Sequence, residues 1–252
     1  MNKILPVLIF GAIALYFVLQ DTANRTNTSA EPSAPPFTDP VPPNWAAIAA
    51  WPTQEAEAVQ AQPDPNRRVT AIVLDDSGSM GGDIVAAKQA VVDALGAMAD
   101  TDRVAVLALN AGVVLQFTEV GPAKSAIRNA LAPVSSNGST PLTNAVTAAR
   151  DLLETEAATV RGFGTFRLIV TTDGVADDGA ALARAVADLA AVTPIQLTTI
   201  GIGISGGHVL QRSDLGAYVD VANVDALKGA LEAAVAENTD FSAITDFTTE
   251  EG

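Results

Sequence analysis

The feature that most restricts the fold is an alternation that begins at Arg67. Short, almost wholly apolar runs take turns with longer stretches of helical periodicity. The segment "RRVTAIVLDD" (67–76) is apolar on consecutive positions, the pattern of a strand buried on both faces of a parallel sheet. In "DIVAAKQAVVDALGAMA", Ile84, Ala87, Val91, Leu95 and Met98 fall on one helical stripe. "DRVAVLALN" and "VVLQFTEV" are strands separated by Ala111–Gly112, a linker short enough for a hairpin. "PAKSAIRNALAPV" and "PLTNAVTAARDLLETEA" read as helices opened by Pro122 and Pro141, "TFRLIVTTDG" as a strand, and "DDGAALARAVADLAAV" as a helix that begins in acidic residues. "IQLTTIGIGI" and "AYVDVAN" are the last strands, and "VDALKGALEAAVAE" closes the series. Residues 67–236 are therefore expected to form a doubly wound α/β domain, its sheet mostly parallel with one antiparallel edge strand.

Such sheets bind ligands at the carboxyl ends of their strands. The first strand ends in "VLDDSGSM", where Asp75, Ser77 and Ser79 alternate along the chain and an extended backbone would aim all three the same way. Carboxylate and hydroxyl oxygens suit a hard divalent cation that keeps some of its waters, Mg²⁺ foremost. Gly78 and Gly81–Gly82 allow the tight turn into the following helix. Two further loops supply oxygens at the same sheet end: Thr140 in "NGSTPL" and Asp173 in "TTDG". Helix capping would account for any one of these loops, but not for all three together.

With these residues in view, the chain resembles a von Willebrand factor type A domain with a complete metal-ion-dependent adhesion site. The motif D-x-S-x-S is Asp75-Asp76-Ser77-Gly78-Ser79, the threonine is Thr140 and the second aspartate is Asp173. The resemblance covers about residues 67–236 and includes "DRVAVLAL" and "TIGIG". It implies a Rossmann-like fold holding Mg²⁺ or Mn²⁺, with Ser77 and Ser79 bound directly. Thr140 would join when ligand is bound, while Asp75 and Asp173 would act largely through waters. An Asp or Glu from a protein partner would complete the coordination sphere. Asp76 occupies the motif's variable position and is expected only to add negative potential.

Composition removes several alternatives. The net charge of −15 argues against a nucleic-acid partner, which requires a basic patch. With no cysteine and one histidine, His208, thiolate metal sites, disulfides and a cysteine nucleophile are excluded, and a His-dependent triad is disfavoured. "GIGISG" (201–206) matches G-x-G-x-x-G, but "GGHVLQRSDLG" is a poor helix and Asp220 falls too soon after it, so no nucleotide is expected. An aspartyl phosphatase would want a second carboxylate two residues beyond Asp75, where Ser77 stands. His208 is read as a packing or surface residue.

The chain divides into four parts: a membrane segment (1–20), a Pro/Ala-rich stalk (21–66), the domain (67–236) and an acidic tail (237–252). The apolar run Ile4–Leu19 follows Lys3 and lacks a good cleavage site, which favours an uncleaved anchor over a signal peptide. Lys3 on one side, with Asp21, Arg25 and Glu31 on the other, leaves the N-terminus cytoplasmic. The expected location is the bacterial inner membrane, crossed once, with the domain facing the periplasm or exterior; secretion after cleavage is the alternative. The stalk holds six acidic residues and one Arg, and prolines prevent regular structure in most of it. Trp45, Ile48 and Trp51 suggest a short helical turn, either packed on the domain or serving as a partner-binding motif. The expected function is non-enzymatic, metal-dependent binding of a protein or surface ligand at the cell envelope. The alternative is a structural or regulatory subunit of an envelope or AAA+-associated complex.

Overall fold

The computed structural model describes residues 40–54 and 66–236, all within the unit Phe37–Gly252. Six strands form one sheet: β1 (Arg68–Leu74), β2 (Arg103–Ala108), β3 (Gly112–Glu119), β4 (Thr165–Thr172), β5 (Gln196–Ile202) and β6 (Ala217–Val221). Their order is β3-β2-β1-β4-β5-β6. Only β3 runs antiparallel, paired with β2 at one edge as the short linker demanded. The four other pairings are parallel, so β1, β2, β4, β5 and β6 all end on one side of the molecule.

The helices are α1 (Trp45–Ala50), α2 (Ile84–Ala97), α3 (Val120–Leu131), α4 (Leu142–Thr159), α5 (Gly179–Val192) and α6 (Leu227–Ala236). They sandwich the sheet. Helices α2, α3 and α6 bury their apolar stripes on one face, with Ile72, Val104, Val106 and Ile200 beneath them. Helices α4 and α5 cover the other face over Val73, Leu168 and Val170. The stripe read from the sequence of α2, Ile84 through Met98, is buried at every one of its five positions. Helix α3 begins two residues before Pro122, because the Val120 N–H donates to the Asp102 carbonyl (2.8 Å) and starts the turn there. Pro122 still sits in the first turn, where a missing N–H costs nothing.

Part of the proline-rich stretch also packs on the domain. Asn44 caps α1 by accepting from the Ala47 N–H (3.1 Å), and its own N–H donates to the Ala191 carbonyl (2.7 Å). Trp51 is buried, edge-on to Phe166 with ring centroids 4.8 Å apart. The Thr53 N–H donates to Glu154 (3.0 Å), and the Val41 N–H to Asp214 (3.0 Å). Residues 40–54 thus form a strap across α4 and α5, and the packing expected around Trp51 is present. Among the described residues no helix is long and apolar enough to cross a membrane. The expected anchor (1–20), most of the stalk (21–39 and 55–65) and the tail (237–252) lie outside the described residues.

Candidate metal centre

The first loop leaves β1 through a clamp. The Asp75 N–H donates to Thr171 Oγ1 (3.1 Å), whose hydroxyl donates on to the Val73 carbonyl (3.2 Å). This ties the ends of β1 and β4 together. The Asp75 carboxylate is fully buried and organises both oxygen-bearing loops. One of its oxygens accepts from the Ser77 N–H (2.8 Å) and the other from the Asp173 N–H (3.1 Å). The sequence then turns through a short 3₁₀ helix, Gly78–Asp83, into α2. Gly81 has φ 46° and ψ −123°, a conformation costly for any residue with a Cβ.

Three oxygens meet at the mouth of this clamp. Ser77 Oγ lies 3.0 Å from Ser79 Oγ, Ser79 donates to Asp173 Oδ1 at 2.7 Å, and Ser77 reaches the same oxygen at 3.5 Å. Burial pushes the Asp173 carboxyl above its ordinary pKa, and the neighbouring Asp75 charge adds to that push. The hydroxyl donated by Ser79 opposes it. A cation placed among these oxygens would relieve both the desolvation and the repulsion.

The third loop, between α3 and α4, docks on the first. The Gly78 N–H donates to the Gly138 carbonyl (3.1 Å), the Asn137 N–H to the Asp76 carbonyl (2.8 Å), and Ser136 Oγ to the Ser77 carbonyl (2.7 Å). Gly138, at φ 74°, has the Asn110 side chain where a Cβ would stand, so both space and backbone require glycine there. Asp177 pins Thr140: one carboxylate oxygen accepts from the Thr140 N–H (2.9 Å), the other from Ser139 Oγ (2.5 Å), and the Asp177 N–H returns a bond to the Thr140 carbonyl (3.1 Å). The half-buried Thr140 hydroxyl takes no hydrogen bond among the described residues.

All five residues expected at the site therefore lie on loops at one sheet end. Asp173, Ser77 and Ser79 share one cluster, Asp75 braces it, and Thr140 belongs to the adjoining loop. Among the described residues no group of three or more His, Cys, Asp or Glu side chains converges, so any metal site here depends on hydroxyls. The spacing fits the expected ion. An octahedral Mg²⁺ with oxygens at roughly 2.1 Å separates neighbouring ligand oxygens by about 3 Å, since an octahedron's edge is √2 times its radius. The 2.7, 3.0 and 3.5 Å separations straddle that value.

Asp76 corrects one expectation. It is not a spectator charge: its fully buried carboxylate accepts from the Asn110 N–H (2.7 Å), Asn110 Nδ2 (3.2 Å) and the Ala111 N–H (3.1 Å). It holds the β2–β3 hairpin turn against the loop that follows β1. Adjacent aspartates look equivalent in sequence, yet Asp75 accepts from the Ser77 and Asp173 N–H groups and Asp76 from the hairpin turn. Asp177, Asn110, Ser136 and Thr171 also escaped the sequence reading. Only Asp177 left a signal, the pair Asp177–Asp178, in which Asp178 caps α5 by accepting from the Ala181 N–H (2.8 Å).

The rival motifs resolve into packing. Residues 203–216, after "GIG", form turns and no helix, so the glycine pattern opens no dinucleotide site. His208 is buried against the ring of Tyr218, with centroids 6.2 Å apart. Its Nδ1 accepts from the Leu210 N–H (3.2 Å), and its buried Nε2 has no hydrogen-bond partner among the described residues. Burial holds this imidazole below its usual pKa, against the opposing pulls of Gly174 and Asp220.

A parallel sheet with one antiparallel edge and a D-x-S-x-S loop at its carboxyl end defines a protein class, and sequence comparison agrees. The von Willebrand factor type A domain profile matches residues 71–250, and the chain belongs to that family. Among curated proteins none matches. Solved structures share the fold. Von Willebrand factor type A from Catenulispora acidiphila is 22% identical at TM-score 0.58, covering 68% of this chain and 42% of its own. Manganese-loaded TRAP protein of Plasmodium vivax is 16% identical at TM-score 0.50, covering 67% of this chain and 74% of its own. The SpRpn10 VWA domain is 16% identical at TM-score 0.51, covering 64% of this chain and 93% of its own. The match to the Catenulispora structure thus spans about two fifths of that chain's length.

Proposed function

We propose that this chain is a non-enzymatic binding module in which Ser77, Ser79, Asp173, Asp75 and Thr140 hold Mg²⁺ or Mn²⁺. A protein partner supplies an Asp or Glu carboxylate to the metal. The observation that carries this reading is the oxygen trio at 2.7, 3.0 and 3.5 Å, with a raised Asp173 pKa that a cation would relieve. The free Thr140 hydroxyl at the adjoining loop supports a further ligand. The manganese named for the Plasmodium relative is consistent with it. A binding rather than catalytic role is supported by the placement of His208, the chain's one histidine, whose ring is engaged with Leu210 and Tyr218.

The decisive experiment is calorimetry with Mg²⁺ and Mn²⁺ at millimolar concentration. The wild type should bind one ion, and Ser77→Ala and Asp173→Ala should each lose at least tenfold in affinity. No heat from the wild type, or unchanged affinity in both variants, would sink the reading. Tethering through residues 1–20 is part of the same proposal, with the domain outside the inner membrane; it rests on the apolar run Ile4–Leu19 and the charges flanking it. Protease added to intact spheroplasts should digest the domain, and protection would reverse the orientation. Recovery of one fixed partner regardless of EDTA would instead favour a subunit of a larger assembly.

A further inference from the structure

Away from the metal loops, α2, α3 and α6 leave an open furrow on the surface. Its lower part, about 720 Å³, lies between α2 and the end of α6, where Gly96, Ala97 and Ala236 are too small to fill the space. Its upper part, about 250 Å³, lies between α2 and α3. Val92 and Arg128 line both, so the two are continuous along α2. The furrow ends near Val85, which is 68% exposed.

Its charges are unevenly matched. Lys228 pairs with Asp93 at 3.1 Å and lies 3.8 Å from Glu232, and Lys88 donates to the Val134 carbonyl at 2.8 Å. Arg128, exposed midway along the furrow, makes no hydrogen bond or ion pair among the described residues. The furrow is thus small-walled and mixed in polarity: Lys88, Arg128 and Lys228 face Asp93 and Glu232, and Arg128 acts on Asp93 only through space.

The chain carries a complementary segment beginning at the furrow's own wall. Residues 237–252 follow Ala236 directly and contain five acidic residues, no Lys or Arg, and the large apolar side chains Phe241, Ile244 and Phe247. The family match runs to residue 250, so most of this segment counts with the domain. Helix α2 has 14 residues and is about 21 Å long, whereas 16 extended residues reach roughly 50 Å. Attachment at the furrow edge keeps the closed loop short and its entropic cost small.

We infer that residues 237–252 dock along the α2–α3–α6 furrow. Phe241, Ile244 and Phe247 cover Val92 and Val85, and a tail carboxylate pairs with Arg128. This interaction within the molecule is independent of the metal centre.

The absence of cysteine makes the test clean. The full chain is prepared with Gln89→Cys on the furrow and Ser242→Cys in the tail, then treated with a short bis-maleimide. The expected product is an intramolecular cross-link. Its yield should fall at least fivefold on adding Arg128→Glu, and again on adding Phe241→Ser with Phe247→Ser, substitutions outside the described domain. A control with Asp188→Cys on α5 in place of Gln89→Cys should cross-link poorly. Equal yield at both positions, a yield indifferent to these substitutions, or a product joining two chains would overturn the inference. Mg²⁺ calorimetry on the Arg128→Glu chain should match the wild type, so failure here is distinguishable from failure of the metal reading.

Discussion

The two ends of the sheet treat charge in opposite ways. At the end where the strands begin, carboxylates meet cations: Arg68 pairs with Asp102 at 2.6 Å, Arg103 with Glu156 at 2.8 Å, and Arg212 with Asp214 at 2.5 Å. The strap of residues 40–54 adds hydrogen bonds to Asp214 and Glu154 on the same side of the molecule. At the end where the strands finish, Asp75, Asp76, Asp173 and Asp177 are held by N–H groups and hydroxyls, and none is bonded to a Lys or Arg among the described residues. Neutral donors can fix a carboxylate's position without cancelling its charge. One end pairs its carboxylates with cations, and the other holds them with neutral donors alone.

Four substitutions would break or sharpen that contrast. The largest effect is expected at the closed end. Trp51→Ala should cost about 3 kcal/mol, the lower part of the range for emptying a buried aromatic site, because Trp51 covers Phe166 from a strap and not from the centre of the core. Denaturant unfolding measures it, and a loss below 1 kcal/mol would show that the strap adds little.

Next comes Asp76→Ala, which strips three donors of their buried acceptor and should cost about 2 kcal/mol. The same unfolding experiment should find Asp76→Asn milder. A neutral result for Asp76→Ala would return this residue to the spectator role.

A smaller, pH-dependent effect is expected from His208. Its folded pKa lies below its unfolded value, since burial disfavours the imidazolium. The neutral ring therefore contributes stability that is complete above about pH 6.5 and is lost as pH falls through the folded pKa. Thermal melts from pH 7.5 to 5 should slope downward in the wild type and less so in His208→Gln. Parallel slopes would exclude the histidine as the cause.

The smallest effect on stability belongs to Ser79→Ala, because the Ser79 hydroxyl is exposed at the open end. In EDTA its melting point should match the wild type within the effect of about 0.5 kcal/mol typical of surface changes. The rise in melting point on adding Mg²⁺ should vanish. A retained rise would mean that the ion, if bound, sits elsewhere.

Much of this was legible before any coordinates. Continuous apolar runs marked the parallel strands, and the short Ala111–Gly112 linker required β3 to return antiparallel. The five candidate residues could be assigned to one end of the sheet because each stands just past a strand or just before a helix, where chain order alone sets its position. Less legible was the work done by their neighbours. Asp76 and Asp177 act across 34 to 38 residues of sequence, on Asn110, Ala111, Ser139 and Thr140. No local pattern encodes such partners.

The sequence by itself determined the periodicities, and with them the order of elements, the edge strand and which loops share one end of the sheet. Those properties follow from side-chain alternation and short connections, which are local. Tertiary structure decided which carboxylate braces and which remains available. Asp75 and Asp76 are chemically identical neighbours; burial and the nearest N–H donors commit Asp75 to the loops after β1 and β4 and Asp76 to the hairpin turn. Asp173 carries its raised pKa because the fold sets it beside Asp75 and withdraws it from water. Desolvation and charge proximity depend on distances through space, and those exist only once the chain has folded.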